Sequence, residues 1–436
     1  MSSEGKQNPF IRLGDALDPA LLRGASGPPP AAAAPAPESP VRRADSEFYS
    51  ELNLNRFPFA SLFDKDTGKP GAIVVRQKIQ AGRTGSVFEW VVSPAESVAS
   101  GQGERRGGLP GPFDRRVFRA LEKIVMGRSL MKGEPLANPQ PIEIKEVLET
   151  LRLTVQTHNY RSVTRALSRL QGTQISCSGV VKGASAAPAR GVVFSPLSEI
   201  RWAGEADPET GLRIDRTQIY FAPFYLESVN SFNVRPIDWD LWLALNPRPL
   251  AQRLYEILEM GFFGLKDSPY KHFGYAELCQ LLPSRPQAKR SDAMRVLDRA
   301  HEELREVEVR RRDGVERLRL LDRVEWHWDG PEAALRYYPH REYLARLRRR
   351  KMPEFDPRAL ELAKEFEDMD SLAFYQLVVG RIDWQYIQAA RTEVRSNRRV
   401  ADPRRYFSAT LRKILKGVGI PVPYGEEGAA GSRRQA

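Results

Sequence analysis

The chain has 436 residues, a formal net charge of +12 and a pI near 9.7, which together point to a polyanionic partner such as nucleic acid. A chain of this length is too long to form one small hydrophobic core, which predicts two or three domains. Its cysteines, Cys177 and Cys279, lie too far apart for a cysteine zinc motif or a disulfide framework, and they fit a reducing cytosol. No apolar run reaches the ~18 residues of a membrane helix, and no signal-peptide core is present, so we expect a cytoplasmic protein.

The composition changes along the chain and suggests its domain organisation. The run GPPPAAAAPAPESP near the N-terminus is typical of a disordered leader. The predicted segments are a leader over residues 1–44, a first domain over 45–230, a second domain over 231–330, a basic helical C-terminal region over 331–424 and a disordered tail over 425–436.

The first domain is predicted to begin its helical part with residues 113–126, for which Asp114 is a candidate cap. Residues 142–170 then predict a short helix, a turn and a second helix. In this second helix Val163, Ala166, Leu167 and Leu170 recur at the spacing of one buried face.

The opposite arc of that second helix is polar and basic. It carries Tyr160, Arg161, Thr164, Arg165, Ser168 and Arg169. Between residues 151 and 171 there are four arginines and no acidic residue, which suits contact with phosphates and base edges in a DNA major groove. The alternative is a surface helix whose arginines are only solvated.

Three β-rich runs follow, over residues 174–181, 191–201 and 213–226, with turn residues between them. Three helices followed by a β-hairpin is the order of a winged helix. The order then repeats, with helices expected over residues 241–245, 249–260, 275–282 and 291–307. Ser291 is the expected N-cap of the last helix, and Met294, Leu297, Ala300 and Leu304 are its expected buried face.

A hairpin is predicted directly after this last helix, because Asp313-Gly314 stands between two alternating runs. Its predicted inner residues are Val307, Val309, Leu318 and Leu320, and its predicted outer residues are Arg310, Arg312, Arg317 and Arg319. Four arginines on one face of a wing suit a phosphate or minor-groove contact, with a solvated hairpin as the alternative.

The second candidate recognition helix mixes arginines with acidic residues, which would repel phosphate. We therefore confine its expected DNA contact to its N-terminal end, where helices favour phosphate. The residues expected there are Arg285, Lys289, Arg290, Ser291 and Arg295. The predicted fold class is α+β, with two tandem winged-helix domains followed by a mostly α-helical C-terminal region.

Catalytic motifs are scarce. The sequence has no phosphate-binding Gly-x-x-x-x-Gly-Lys-Ser/Thr loop, and its histidines are scattered. The acidic doublets Asp238/Asp240 and Asp368/Asp370 are of the kind that a primase could use for magnesium. The first doublet fits helix capping better, and the second lies among other acidic residues. We therefore expect a protein that is not an enzyme and has no cofactor or metal.

The run Asn53-Leu54-Asn55-Arg56-Phe57-Pro58-Phe59-Ala60, followed by the strand-like residues 87–92, resembles the start of the plasmid replication initiator protein A family. The resemblance covers roughly residues 46–330. From the residues alone, Leu54, Phe57 and Phe59 predict an apolar arm that packs into the first core.

The resemblance implies a plasmid replication initiator, associated with the nucleoid in the cytoplasm, that binds repeated sites in double-stranded origin DNA. It also implies opening of the origin, copy-number control, homodimerisation through the first winged helix, and recruitment of the host replication initiator and replicative helicase. The alternatives are a winged-helix transcriptional regulator and a plasmid-encoded enzyme of the primase or relaxase type.

Overall fold

The structure, a computed structural model, describes most of the chain from residue 47 onward. The described residues are 47–64, 71–81, 84–95, 98–100, 103–105, 107–129, 134–178, 191–265, 268–328, 333–349, 356–368, 371–397, 400, 402–420 and 422. The predicted leader and tail lie outside them. The described part is mixed α+β, as predicted, and combines small antiparallel sheets with many helices.

An N-terminal arm precedes the first long helix. Its elements are β1 (Glu47–Glu51), α1 (Leu52–Arg56), β2 (Ile73–Ala81), β3 (Thr84–Ser93), β4 (Val98–Ser100) and β5 (Gly103–Arg105). Leu54, Phe57 and Phe59 are buried, which confirms the predicted apolar arm. The ring of Phe57, directly after α1, stacks on that of Phe88 in β3 at a centroid distance of 4.6 Å, so aromatic packing holds these two parts of the arm together.

The first unit, residues 112–230, follows the arm. It contains α2 (Pro112–Arg128), β6 (Gln140–Ile142), α3 (Ile144–Thr150), α4 (Thr157–Gly172), β7 (Gln174–Ser178), β8 (Val192–Phe194), β9 (Leu197–Arg201), β10 (Thr217–Phe221) and α5 (Pro223–Asn230). Strands β6, β10 and β9 form one antiparallel sheet in that order, while β7 and β8 extend the β2–β3 pair to four strands. The third β-rich run was predicted too long, because a helix with Pro223 in its first turn begins inside it.

The second unit, residues 249–349, is reached through β11 (Val234–Asp238) and α6 (Trp239–Ala244). It contains α7 (Pro249–Phe263), β12 (Lys271–Gly274), α8 (Tyr275–Leu281), α9 (Arg290–Arg305), β13 (Val307–Arg311), β14 (Gly314–Leu318), β15 (Leu321–His327), β16 (Ala334–Pro339) and α10 (Arg341–Arg349). Strands β12, β16 and β15 form its three-stranded antiparallel sheet. Strand β11 pairs with β1, which ties the arm to the junction of the two units.

The two units share one order of elements. The order in each is helix, strand, helix, helix, strand pair, strand, strand and helix. In the three-stranded sheet of each unit, the first strand along the chain pairs with the last, β6 with β10 and β12 with β16. The helices α4 and α9 occupy the same place in this order, and each has 16 residues. The described chain therefore contains an internal structural repeat.

The predicted hairpin forms, but it does not join the sheet of the second unit. Strands β13 and β14 pair only with each other among the described strands, and β12 pairs instead with β16. Strand β16 lies beyond residue 330, in the region predicted to be helical. The Asp-Gly turn is a local signal, whereas the pairing of β12 with β16 joins segments that are distant in sequence.

The start of α9 also differs from the prediction. Its N-cap is Lys289 and not Ser291, which lies inside the first turn. The helix buries Ala293, Leu297, Ala300, His301 and Leu304, while Met294 is only half-buried. Moving the N-cap two residues earlier does not change the period of the helix, so most of the predicted buried face is retained.

The C-terminal helices form a core of their own. They are α11 (Pro357–Glu365), α12 (Leu372–Arg381), α13 (Trp384–Ser396) and α14 (Pro403–Gly417). One hydrophobic cluster extends from Phe48 to Leu347, and a second from Ala359 to Leu415. The described part of the chain thus has a main body that contains both units and a smaller helical bundle.

A buried ionic network joins the two units inside the main body. Arg119 and Glu122 pair on α2 at 2.6 Å, and Arg253 and Glu256 pair on α7 at 2.8 Å. The guanidinium of Arg119 also lies 3.5 Å from the carboxylate of Glu256. These side chains are almost completely buried, so the orientation of one unit on the other depends on charge pairing that water does not screen.

Candidate nucleic-acid interface

Helix α4 presents the basic arc that its sequence predicts. Val163, Ala166, Leu167 and Leu170 have no exposed surface, which confirms the predicted buried face. On the other side Arg161, Thr164 and Arg165 are exposed, while Tyr160 and Ser168 are half-buried. The Thr164 hydroxyl donates to the Tyr160 carbonyl at 3.0 Å, so its outward hydrogen-bonding capacity is partly used within the helix.

Arg169, which was grouped with the basic arc, has a strong partner inside the protein. Its Nε and Nη2 donate to the two carboxylate oxygens of Asp114 at 2.8 and 2.9 Å. Burial raises the pKa of Asp114, and the hydrogen bonds from Arg169 and from the Gly111 N–H oppose that shift. The pair fastens α4 to α2, which favours a structural role for Arg169 over contact with DNA.

The same contacts revise the predicted cap of α2. The N-cap of this helix is Gly111, and Asp114 lies three residues further on, where its carboxylate accepts the Gly111 N–H at 2.7 Å. Asp114 therefore stabilises the start of α2 and also holds α4 against α2.

The N-terminal end of α9 is exposed and basic, as predicted. Arg285, Lys289, Arg290, Ser291 and Arg295 are all exposed. Arg295 pairs with Asp292 on the same helix at 3.2 Å, and this exposed pair is of low energetic value. The preceding loop is held by the Tyr275 hydroxyl, which accepts the Gln287 N–H at 3.0 Å.

The hairpin β13–β14 alternates as predicted. Val307, Val309 and Leu320 are buried and Leu318 is half-buried, whereas Arg310, Arg312, Arg317 and Arg319 are exposed. Arg317 pairs with Glu308 across the strands at 3.0 Å, so part of its charge is neutralised.

Arg311 is a charged residue of this hairpin that the sequence analysis did not single out. Its side chain points inward and donates to both carboxylate oxygens of Asp238 at 2.6 Å. The alternation of the strand places Arg311 on the same side as Val307 and Val309. An arginine on the inner side of an alternating strand requires an acidic partner, and this signal was present in the sequence.

The acidic doublets have structural partners. Asp238 caps α6 by accepting the Leu241 N–H at 3.1 Å, as expected. Asp368 accepts the Tyr375 hydroxyl at 3.1 Å, and Asp370 lies outside the described residues. In the described ranges, no group of three or more histidine, cysteine, aspartate or glutamate side chains has a metal-binding arrangement. No helix in this part of the chain is long and apolar enough to cross a membrane.

No protein-family model matches the chain, and no curated protein matches it. The chain is similar to the crystal structure of a selenomethionine derivative of domains 2 and 3 of RctB, with 14% identity, a TM-score of 0.38, and coverage of 66% of this chain and 98% of that one. A second structure of RctB domains 2–3 gives 12% identity, a TM-score of 0.35, and coverage of 66% and 97%. TM-scores this low carry no functional inference.

Proposed function

We propose that this protein is a plasmid replication initiator that binds repeated sites in double-stranded origin DNA through two winged-helix units. The observation that carries the proposal is the internal repeat, in which α4 and α9 occupy equivalent places and each presents exposed arginines. A protein with two similar DNA-reading helices suits a target that contains similar sequences more than once.

The connectivity of the two units supports the winged-helix interpretation. In each unit a helix pair follows the first strand of a three-stranded sheet, and the last two strands return to that sheet. By this interpretation α4 and α9 are the recognition helices, and the wings are β9–β10 and β15–β16. The hairpin β13–β14 is then an addition to the second wing and not the wing itself.

Charge supports DNA as the partner. The net charge of the chain is +12, and the exposed arc of α4 carries Arg161 and Arg165 with no acidic residue on that helix. Arginine side chains on a helix that enters the major groove bind phosphates or the O6 and N7 atoms of guanine. The protein would act by binding and not by catalysis.

The steps after DNA binding follow from the resemblance of residues 53–60 to replication initiators. They are opening of the origin, recruitment of the host replication initiator and replicative helicase, and copy-number control by a homodimer. The expected place of action is the cytoplasm, on plasmid DNA.

A footprint of the purified protein on its own plasmid, at physiological salt, tests the proposal. We expect protection of evenly spaced direct repeats beside an AT-rich segment, and loss of that protection in the Arg161→Ala, Arg165→Ala double variant. Lys145→Ala is the matched control, because Lys145 is 58% exposed on the neighbouring helix α3. Protection of a single inverted repeat over a promoter would indicate a transcriptional regulator and overturn the proposal.

A further inference from the structure

Helix α6 begins with two aspartates that face arginines from three separate parts of the chain. Asp238 is 1% exposed and Asp240 is 11% exposed in their side chains. Arg311 comes from the hairpin, Arg346 from α10, and Arg152 from the turn between α3 and α4. Capping of α6 needs only one carboxylate, so the second aspartate and the three arginines call for another explanation.

The hairpin is fixed to this cluster at its tip. Arg311 is the last residue of β13, and besides its two bonds to Asp238 it donates to Glu316 of β14 at 2.9 Å. Arg346 donates to the same Glu316 at 2.6 Å and to Asp238 at 3.1 Å. The tip is therefore held at a defined position against α6 and α10.

The turn that leads into α4 is fixed to the same cluster from the first unit. Arg152 has a left-handed backbone with φ of 56°, which is unfavourable for a residue with a side chain. Its Nη2 bonds to Oδ1 of Asp240, and Oδ2 of Asp240 lies 3.3 Å from Nη1 of Arg311. One carboxylate thus connects the turn before α4 with the tip of the hairpin in the other unit.

The described carboxylates and guanidinium groups of this cluster are equal in number. Among the pairs that the described residues form, three carboxylates, those of Asp238, Asp240 and Glu316, meet three guanidinium groups, those of Arg152, Arg311 and Arg346. These pairs therefore leave no excess of negative charge between the two basic surfaces. An excess of negative charge there would repel a phosphate backbone.

We infer that the outer face of α4 and the outer face of the β13–β14 hairpin form one surface that binds a single DNA duplex, with Asp240 as the residue that holds them in register. This inference rests on the proposed function and adds that the hairpin of the second unit acts together with the recognition helix of the first. The exposed arginines on this surface include Arg161 and Arg165 from α4, and Arg310 and Arg319 from the hairpin. Asp240 is a positioning residue, since it would act on DNA only through Arg152 and Arg311.

The test measures affinity and its salt dependence for the footprinted duplex in two backgrounds, the unaltered protein and Asp240→Asn. In the unaltered background, the Arg310→Ala, Arg319→Ala variant should lower the salt slope by about two, as expected for two lost phosphate contacts. Asp240→Asn alone should weaken binding roughly tenfold, and the hairpin variant should then have little further effect. Arg161→Ala should weaken binding in both backgrounds.

Two further variants separate positioning from general damage. Arg152→Gly removes the same ion pair and relieves the left-handed backbone, so it should reproduce the effect of Asp240→Asn in a folded protein. Glu365→Gln breaks a comparable ion pair with Arg391 in the C-terminal bundle and should leave binding unchanged. The inference is overturned if Asp240→Asn and Arg152→Gly bind like the unaltered protein, or if the hairpin variant loses as much affinity in both backgrounds. Failure of the unaltered protein to bind any duplex would instead overturn the proposed function itself.

Discussion

Arg119 of the first unit and Glu256 of the second unit meet in the interior, with 3.5 Å between Nε and Oε1 and with both side chains fully buried. Glu256 also accepts the Trp242 indole N–H at 2.9 Å. Burial tends to raise the pKa of Glu256, but Arg119, Arg115 and Arg253 outweigh it and hold that pKa at about 2. The carboxylate is therefore ionised and neutralises arginines from both units.

Replacing Glu256 by glutamine should destabilise the whole main body. The change leaves Arg253 buried without its acidic partner and leaves Arg119 with Glu122 alone. Such a loss costs about 3–5 kcal/mol in comparable buried sites. Urea unfolding measures the effect, and we expect one transition that shifts to lower denaturant. Glu303→Gln is the control, because its pair with Arg248 is 34–41% exposed and should be worth less than about 1 kcal/mol. Equal midpoints for both variants would contradict a structural role for the buried network.

Arg169→Ala should affect stability and not DNA contact. Its removal leaves the buried carboxylate of Asp114 without its bidentate partner, at a cost of about 3 kcal/mol. Arg161→Ala and Arg165→Ala should behave in the opposite way, each weakening DNA binding by about 1–3 kcal/mol with unchanged stability. Thermal unfolding and binding titrations on the same samples compare the two groups. If the Arg169 variant is as stable as the unaltered protein, Arg169 becomes a candidate for DNA contact again.

The hairpin arginines should differ in their contribution to salt dependence. Arg317 already pairs with Glu308, so Arg317→Ala should change the slope of log affinity against log salt by clearly less than one. Arg310→Ala should lower the slope by about one, because this side chain is exposed on the outer face. Titrations at several salt concentrations give the slopes. Identical slopes for the two variants and the unaltered protein would indicate that the hairpin is exposed to solvent and does not contact DNA.

His301 should make the protein sensitive to mild acid. Burial lowers its pKa to about 4, and the carboxylate of Asp298 opposes that shift only in part. In the unfolded chain the imidazole binds a proton near pH 6.5, so the unfolded state takes up the proton first as pH falls. Stability is therefore lost between about pH 6.5 and pH 4, by on the order of 3 kcal/mol.

His301→Gln should flatten this part of the stability profile, which chemical denaturation at a series of pH values records. His327→Gln should leave the profile unchanged, because His327 is 48% exposed. A profile that keeps its full slope between pH 6.5 and 4 in the His301 variant would assign the acid sensitivity to other groups.

Elements with a strong local signal were predicted from the sequence. The helix pair α3–α4 is set by spacing within a few residues, and Val163 and Leu167 are buried as that spacing requires. The turn of the β13–β14 hairpin depends on Asp313-Gly314, and Gly314 has a φ of 148° that suits glycine. In both cases the deciding interactions lie close together along the chain.

Features that depend on distant partners were not predicted. Neither β12 nor β16 has a sequence pattern that indicates its pairing with the other. The sequence therefore places β16 in a region that is predicted to be helical. The sequence marks Asp240 only as part of a doublet that precedes a helix and fits capping, since its partners, Arg152 and Arg311, lie far from it in sequence. Sequence patterns describe which side of an element is buried, but they do not name the side chain that it meets.

The pairing of β1 with β11 has a consequence for how the chain forms during synthesis. Residues 47–51 obtain their partner strand only when residues 234–238 have been made, and Arg119 meets Glu256 later still. Every element of the first unit would thus have left the ribosome while its buried Arg119 had the carboxylate of Glu122 but not yet that of Glu256. We therefore expect the first unit to complete its packing only after α7 has emerged, so that the two units acquire their native structure together.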